Sequence, residues 1–430
     1  MINFKERRNQ TIKAKPIFIA KQIVMEAWEK VKANKGSAGI DNESIEEYEK
    51  NLKDNLYKLW NRMSSGSYMP TPVKLVEIDK ADGKKRPLGI PTVNDRIAQM
   101  VCKIYFEPEV NRYFHTDSYG YRPGKSAKQA VGKCRERCWY YDWVIDLDIK
   151  GFFDNIDHEL MMKAVRHHTD KKWITLYIER WLKVPMVMTD GTVKERNKGT
   201  PQGGVISPLL ANLFLHYALD KWLERKYPDI RFERYADDCV IHCKSEKQAL
   251  FMKEKIRKRL EECKLELHPE KTKIVYCKDA NRKYNNKNTE FDFLGFTFRQ
   301  RTCRNREGVI FMRFQPAISR KACKRIKESI RELKIRNWAT RTIENISEAL
   351  NARLRGWYNY YGAYYRSAME SIFHVVNGIL LSWVRNKYKK FRGSLKKAFD
   401  WLSRMEKEKP KLFIHWELGI VFKGLTTRAV

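Results

Sequence analysis

Residues 232–243, FERYADDCVIHC, place two adjacent carboxylates, Asp237 and Asp238, between two short apolar runs. The runs have the length of β-strands, and the acidic pair lies where a hairpin would turn. Asp is common in turns, so a solvated turn is one interpretation. The other is a divalent-metal site, because neighbouring carboxylates repel each other unless a cation offsets their charge. The stretch alone leaves both interpretations open.

A second acidic strand is predicted in DWVIDLDIKGFFDNIDH, residues 142–158. Val144 and Leu147 mark a buried strand, yet Asp146 and Asp148 share one face by the two-residue period. A buried carboxylate is costly unless it is paired or bound to metal. If this strand and the hairpin lie in one sheet, three carboxylates can hold two Mg2+ ions about 3.5–4 Å apart, as in nucleotidyl transfer.

A glycine-rich loop precedes a helix in KGTPQGGVISPLLANLFLHYALD, residues 198–220. Glycines such as Gly203 let the backbone approach a substrate closely, and Gln202 would face that substrate. Ser207 is predicted to cap the helix, with Pro208 at its first position. A bare glycine-rich loop does not by itself identify a function.

Composition favours a folded, nucleic-acid-binding protein. The 430 residues contain 86 Lys plus Arg against 52 Asp plus Glu, a net charge of +34, with 43% hydrophobic residues. Such an excess suits a polyanionic partner. A membrane surface is the alternative, but no apolar run approaches the ~20 residues that span a bilayer. Nine scattered cysteines without a zinc-site or disulfide framework predict reduced thiols and a cytoplasmic location.

The positive charge is concentrated at the C-terminal end of the chain. Residues 299–430 contain 30 Lys plus Arg and 10 Asp plus Glu, which accounts for +20 of the total. Basic residues alternate there with aromatic ones, a combination that suits single-stranded or irregular nucleic acid. Part of this pattern is helix core, because the rings at 357, 360, 361 and 364 fall on one helical face.

Taken in order, several segments resemble the reverse transcriptases encoded by group II introns, which also act as maturases. The matching segments are LGIPTVNDRIAQ (88–99), SYGYRPGKSA (118–127), DIKGFFDNIDH (148–158), GTPQGGVISPLLANLFLHYALD (199–220), RYADD (234–238), HPEKTKIV (268–275), FDFLGFTF (291–298) and LRGWYNYY (354–361). The resemblance extends over roughly residues 20–392.

The resemblance implies an α+β fold, the right-hand polymerase. Helical fingers and a palm with a small antiparallel sheet would be followed by an all-α thumb of three helices, which the periodicity places at about 317–336, 341–361 and 368–391. The implied domains are an N-terminal extension with fingers (1–91), a fingers and palm core (92–314), the thumb or maturase domain (315–393) and a short DNA-binding remnant (394–430).

The resemblance also implies roles for individual residues. Asp148, Asp237 and Asp238 would be catalytic and, with Ile149, would hold two Mg2+ ions, for which Mn2+ could substitute; Asp146 lies outside the motif. One ion would activate the primer 3′-hydroxyl and the other would stabilise the departing pyrophosphate. The implied deoxynucleotide-binding residues are Lys80, Arg86, Ile149, Phe153, Gln202, Gly203 and Lys271. The implied RNA-binding residues are Arg353, Arg355, Trp357, Tyr358, Arg385, Lys387, Lys389, Lys390 and Arg392.

Some of these residues have ordinary alternatives. Phe153 matches the bulky position that blocks a ribose 2′-hydroxyl, although it would otherwise be a plain core residue. Lys80 and Arg86 match fingers residues that grip the triphosphate; surface charge is the alternative for both, and a stronger one for Lys80. Lys271 matches a basic position suggested to donate a proton to pyrophosphate, and a solvated lysine is the alternative.

The implied function is RNA-templated DNA synthesis for a group II intron, with intron RNA, target DNA and deoxynucleotides as partners. Binding of intron RNA would promote splicing and retromobility. One alternative is a free-standing relative used in host DNA repair or phage defence; another is a splicing factor with an inactive polymerase, against which the intact Asp148, Asp237 and Asp238 argue. Residues 394–430 provide no Cys and His site of an endonuclease, which predicts the endonuclease-less branch.

Charge reversal among Lys387, Lys389, Lys390 and Arg392 is expected to weaken RNA binding and to flatten its dependence on salt. Each neutralised phosphate releases counterions, which contributes a slope of about −0.7 per contact on single strands. Dissociation constants measured over a series of salt concentrations check this. Unchanged affinity and slope would show that RNA binds elsewhere.

Overall fold

The computed structural model describes residues 17–79, 85–305 and 307–420, with only the backbone of Asp79 and Arg86. Within these ranges the chain is a mixture of helices and small sheets, as the sequence predicted. Lys80 lies outside the described residues, and so does the side chain of Arg86.

Helices form most of the described structure. They are α1 (Lys21–Ala33), α2 (Ile45–Lys50), α3 (Leu52–Ser65), α4 (Val93–Asn111), α5 (Ala127–Arg137), α6 (Phe152–Asn155), α7 (His158–His168), α8 (Lys172–Lys183), α9 (Ser207–Leu215), α10 (Lys221–Lys226), α11 (Glu246–Glu262), α12 (Arg320–Glu332), α13 (Ile343–Tyr361), α14 (Glu370–Lys387), α15 (Leu395–Glu408) and α16 (Ile414–Glu417). A π-helical turn, His216–Asp220, joins α9 to α10.

The strands are short and form three sheets. They are β1 (Val73–Asp79), β2 (Lys85–Ile90), β3 (Trp143–Leu147), β4 (Met186–Val187), β5 (Val193–Lys194), β6 (Arg231–Tyr235), β7 (Asp238–Cys243), β8 (Lys273–Tyr276), β9 (Phe291–Phe293), β10 (Phe296–Arg304) and β11 (Ile310–Ile318). The sheet orders are β2-β1-β4-β5, β6-β7-β3-β8 and β11-β10-β9. The acidic strand β3 and the acidic hairpin β6–β7 thus share one sheet, as the metal-site hypothesis required.

The chain forms two compact units, each assembled from separate segments. Unit 1 takes the described residues of 1–126 together with 147–239 and 250–272. Unit 2 takes 127–146, 240–249 and the described residues of 273–430. The predicted division at residues 91, 314 and 393 therefore stays a prediction.

Unit 1 begins with signals that the sequence displays. Ser44 caps α2 in a capping box: its hydroxyl accepts from the Glu47 amide at 3.1 Å, while its own amide donates to the Glu47 carboxylate at 2.7 Å. This arrangement satisfies two amides that a helix start leaves unpaired. Next, β1 and β2 pair as an antiparallel hairpin, with Leu75 opposite Gly89.

Unit 2 is built around α14, which packs against α12 and α15. Residues 366–387 form one helical stretch long and apolar enough, by length and composition, to cross a membrane. Its apolar side chains, among them Phe373, Leu380 and Trp383, are buried inside unit 2. The Trp383 indole donates to the Trp338 carbonyl at 2.8 Å. We therefore interpret α14 as the core helix of this unit.

Two local expectations require correction. Ser207 does not cap α9: Ile206 occupies that position, and the Ser207 hydroxyl accepts from the Thr200 hydroxyl at 2.9 Å. In addition, the segment 394–430, expected to be a short tail, contains the 14-residue helix α15, which Ser394 caps.

Acidification is expected to destabilise unit 2 through His415. Its ring stacks on Phe373 with centroids 5.5 Å apart, and Nε2 donates to Asn377 Oδ1 at 2.7 Å. Burial lowers the pKa of His415 to about 3. Between about pH 6.5 and pH 3 the unfolded chain therefore binds a proton that the native ring does not, so stability falls as the pH falls through that window.

The variant His415→Phe keeps the stacked ring and removes the titrating group. Its melting temperature should consequently fall less between pH 7 and pH 4.5 than that of the wild type. The exposed neighbour His374→Phe is the matched control and should leave the pH dependence nearly unchanged. An identical pH dependence in wild type and His415→Phe would refute the assignment.

Candidate active site

A cavity of about 350 Å³ in unit 1 brings together most of the predicted site residues. Seven of them line it: Asp148, Ile149, Phe153, Gln202, Gly203, Asp237 and Lys271. They come from segments up to 123 positions apart in the chain (148 to 271), so only folding could assemble them. Asp238 does not line the cavity; it is the exposed first residue of β7.

Asp148 is positioned by its backbone at the end of β3. Its carbonyl accepts from the His268 amide at 2.8 Å and from the Thr272 hydroxyl at 3.1 Å. The carboxylate itself is 35% exposed, and its Oδ2 lies 3.5 Å from the Lys271 ammonium, which is 60% exposed. The segment 268–272 thus fixes the backbone of Asp148 and supplies a cation beside its carboxylate.

Asp237 lies in the turn between β6 and β7. Ala236, just before it, has φ of +57°, a left-handed conformation that residues with a side chain seldom adopt. The Ala236 carbonyl accepts from the buried Arg234 guanidinium at 2.9 Å. Asp237 is half-buried and faces the cavity, whereas Asp238 is exposed.

Phe153 is one of the residues that line the cavity. Its ring is half-buried and packs edge-on against Phe152, with centroids 5.4 Å apart, while the rest of it faces the cavity. Phe152, by contrast, is 2% exposed. Phe152 therefore anchors the short helix α6 in the core, whereas Phe153 forms part of the cavity wall.

The glycine-rich loop forms another wall through close backbone contacts. Gly199 has φ of +79°, and a Cβ there would lie 2.8 Å from the Phe153 carbonyl oxygen. Gly203 has φ of +126°, and a Cβ there would lie 2.6 Å from the Gly89 carbonyl oxygen. The Gly89 amide donates to the Gln202 carbonyl at 2.8 Å. These two glycines are required because any side chain would push the loop away from its neighbours.

The donor set of the cavity fits a hard divalent cation. Asp148 and Asp237 offer carboxylate oxygens from two different elements, the ligands that Mg2+ prefers. Neither carboxylate is fully buried, so water and phosphate oxygens have room to complete the coordination sphere of the cation.

The cavity also contains residues that the motif analysis did not single out. They are Tyr121, Asp154 and His268. Tyr121 has φ of +53°, and Asp154 Oδ1 lies 3.5 Å from the Gln202 amide nitrogen. All three occur within quoted motifs, but nothing in their spacing distinguishes them from turn residues.

The predicted RNA-binding residues lie on two stretches of unit 2. Arg353 and Arg355 are exposed on α13, where Trp357 and Tyr358 are half-buried. The others lie at the end of α14 and just beyond it: Arg385, Lys387, Lys389, Lys390 and Arg392. Lys387 is engaged within the protein, since its ammonium donates to the Arg341 carbonyl at 2.5 Å.

A further basic surface lies elsewhere in unit 2, in a groove of about 570 Å³ between β10 and α12. Its cations are Arg299, Arg301, Arg320, Lys321, Lys324, Lys327 and Arg331, against the carboxylates of Glu290 and Asp292. Four of them repeat at i, i+4, i+7 and i+11 along α12, a stripe about 16 Å long. That periodicity is readable from the sequence and could have found the groove.

Two family models match the chain. The model for "Reverse transcriptase (RNA-dependent DNA polymerase)" matches residues 78–298, just over half of the chain, and that for "Group II intron, maturase-specific domain" matches residues 323–399. The first range contains every residue of the cavity described above, and the second contains all the predicted RNA-binding residues.

Curated relatives include protein YkfC of Escherichia coli (strain K12), 34% identical over 287 residues, which cover 56% of this chain and 73% of YkfC. The group II intron-encoded protein LtrA of Lactococcus lactis subsp. cremoris is 32% identical over 200 residues, 46% of this chain and 33% of LtrA. A putative COX1/OXI3 intron 1 protein of Saccharomyces cerevisiae is 30% identical over 169 residues, 39% of this chain and 20% of that protein. The chain thus spans most of YkfC but only a fraction of the intron-encoded relatives.

Proposed function

This chain belongs to the reverse transcriptase family, and from that membership we propose that it copies RNA into DNA in the unit 1 cavity, using bound Mg2+. The observation that carries the proposal is the meeting of Asp148 and Asp237 in one cavity with Phe153, Gln202 and Gly203. Metal-binding carboxylates, a nucleotide-facing loop and a bulky ring are the components that nucleotidyl transfer with sugar selection requires.

We propose that Asp148, Asp237 and Asp238, together with the backbone of Ile149, bind the metal ions. When bound, a pair of Mg2+ ions would lower the pKa of the attacking hydroxyl and neutralise the leaving phosphate oxygens. Mn2+, which accepts the same oxygen ligands, would be able to replace it.

The chain's own residues would orient the nucleotide. The Lys271 ammonium, 3.5 Å from Asp148 Oδ2, would meet phosphate charge and would donate a proton to the departing pyrophosphate. Gln202 and Gly203 would present the loop backbone to the base and sugar. Arg86, whose backbone belongs to β2, would contact the triphosphate, together with Lys80.

Unit 2 would hold nucleic acid and intron RNA. The basic groove along α12 and the exposed cations of α13 and the end of α14 support this proposal, because clustered cations on rigid elements bind a phosphate backbone. Since LtrA is named a group II intron-encoded protein, we propose that residues 323–399 bind intron RNA and promote splicing. The three-helix thumb and a cytoplasmic location belong to the same proposal.

The double variant Asp237→Ala, Asp238→Ala is expected to abolish extension of a primed RNA template with deoxynucleotides and Mg2+. Removing the carboxylates removes metal ligands, whereas RNA binding should survive because it depends on the basic surfaces. Primer extension and RNA-binding assays check both expectations. Asp229→Ala, which removes an exposed carboxylate outside the cavity, is the control and should extend normally. Extension by the double variant at the wild-type rate would contradict the assignment of Asp237 and Asp238 as metal ligands.

Phe153→Ala is expected to let the enzyme incorporate ribonucleotides while it still adds deoxynucleotides. The ring forms part of the cavity wall, so its removal opens the volume that a 2′-hydroxyl would need. Competition between ribo- and deoxynucleotides, measured beside the melting temperature, checks this.

Phe232→Ala is the matched control for that substitution. Phe232 is 2% exposed and does not line the cavity, so its loss should cost roughly 3–5 kcal/mol of stability without altering sugar preference. If Phe153→Ala behaved in the same way, with early melting and unchanged selectivity, the residue would be ordinary core.

A further inference from the structure

A fully buried arginine lies directly behind the acidic turn. Arg234, in β6, has no exposed surface, and neither has its ion-pair partner Asp220. Its Nε donates to Asp220 Oδ1 at 2.7 Å and its Nη2 to Asp220 Oδ2 at 2.5 Å, a two-bond pairing. Nη2 also donates to the Ser118 hydroxyl at 2.9 Å, and Nη1 to Asn212 Oδ1 at 2.9 Å.

The remaining donor of Arg234 reaches the turn itself. Nη1 donates to the Ala236 carbonyl at 2.9 Å, so all five N–H groups of the guanidinium have acceptors. That carbonyl belongs to the peptide group that leads into Asp237. Because Ala236 has φ of +57°, the turn persists only if its surroundings hold it there.

Backbone groups of Tyr119 and Gly120 also contact the turn between β6 and β7. The Tyr119 amide donates to the Arg234 carbonyl at 2.8 Å, and a Cβ on Gly120 would lie 2.4 Å from the Ala236 nitrogen. Asn212 joins the two sides, since its amide donates to the Gly120 carbonyl at 2.6 Å while its oxygen accepts from Arg234. The turn is therefore clamped between the segment 118–120 and the buried guanidinium.

The π-helical turn brings Asp220 to this arginine. In a regular α-helix, residues eight positions apart point about 80° away from each other, at about 100° per residue. The π turn at 216–220 contains one residue more than a regular α-helical turn. This extra residue rotates Asp220 back by about 100°. Asn212 and Asp220 consequently lie on one side of the helix, two turns apart, and both bind Arg234.

We propose that Arg234, held by Asp220, is a positioning residue that keeps the Asp237 carboxylate oriented for metal and nucleotide binding. The inference rests on the proposed function of the cavity. A buried ion pair is weak evidence for stability, because apolar side chains of similar size often hold a core as well. Apolar side chains, however, cannot donate to the Ala236 carbonyl. The pair therefore supplies orientation of the turn, which apolar packing cannot replace.

The test separates orientation from stability. In the double variant Arg234→Met, Asp220→Leu, no buried charge is left unpaired, so the melting temperature should fall less than in Arg234→Met alone, which strands the Asp220 carboxylate. Primer extension on an RNA template should nevertheless lose about 10- to 100-fold in kcat, the range seen when groups that orient metal ligands are removed. The half-saturating Mg2+ concentration should rise as well, which a purely structural role would not produce.

A second variant covers the case in which the double variant fails to fold. Arg234→Lys keeps a buried cation beside Asp220 but cannot span Asp220, Asn212 and Ala236 at once, since all three lysine donors sit on one nitrogen. It should show the same loss of kcat and the same rise in half-saturating Mg2+.

The matched control is Tyr68→Phe in another buried network of unit 1. The Tyr68 hydroxyl donates to buried Asp95, which also accepts from the Thr71 amide at 3.1 Å. Its loss should lower the melting temperature and leave the half-saturating Mg2+ concentration unchanged. Wild-type kcat and Mg2+ dependence in a folded Arg234 variant, or an equal Mg2+ shift in Tyr68→Phe, would overturn the inference. An inactive wild-type protein would instead count against the proposed function.

Discussion

The turn between β6 and β7 has to hold two adjacent carboxylates, one of them facing a cavity, on a backbone in the left-handed region. Like charges side by side favour an open, mobile turn, and a residue with a side chain resists that conformation. The guanidinium of Arg234 offsets both tendencies by fixing the Ala236 carbonyl from inside the protein. The geometry of the candidate active site depends on this contact, since Asp237 is the next residue in the chain.

The glycine-rich loop forms another wall of the cavity, and its position depends on having no side chain at two residues. At Gly199 and Gly203 the loop lies so close to neighbouring carbonyls that no Cβ fits. This closeness places Gln202 and Phe153 on the same small cavity as the carboxylates. The close fit of the loop backbone to its neighbours therefore fixes the shape of this wall of the cavity.

Unit 2 has a different physical character. On α12 the apolar residues Ala322, Ile326 and Ile330 are buried, whereas the cations of the same helix line a groove. The apolar face of α12 therefore stabilises the fold of unit 2. Its basic face carries the charge that would attract a polyanion. Because salt screens interactions between exposed charges that lie more than about 10 Å apart at 0.1 M, the proposed binding on this surface would depend on ionic strength.

Much of this structure was predictable from local patterns. Ser44 and Glu47 have the spacing of a capping box, and the apolar and polar residues that form β1 and β2 are evident in the sequence. The acidic residues of β3 and of the β6–β7 turn are equally visible, and the metal site they suggest stays a prediction. Helix α15 was also within reach, because Ala398, Leu402 and Met405 repeat at helical spacing. These features depend on residues within a few positions of one another, so the sequence displays them directly.

The sequence by itself thus determined the strands, most helices and the identity of the acidic residues. Only the tertiary structure decided that Asp237 rather than Asp238 faces the cavity, that Ser207 bonds Thr200 instead of capping a helix, and that Arg234 meets Asp220. Each of these outcomes depends on where another segment of the chain comes to lie. Periodicity reports which face of an element is apolar, but it does not report which partner that face or its polar residues will meet.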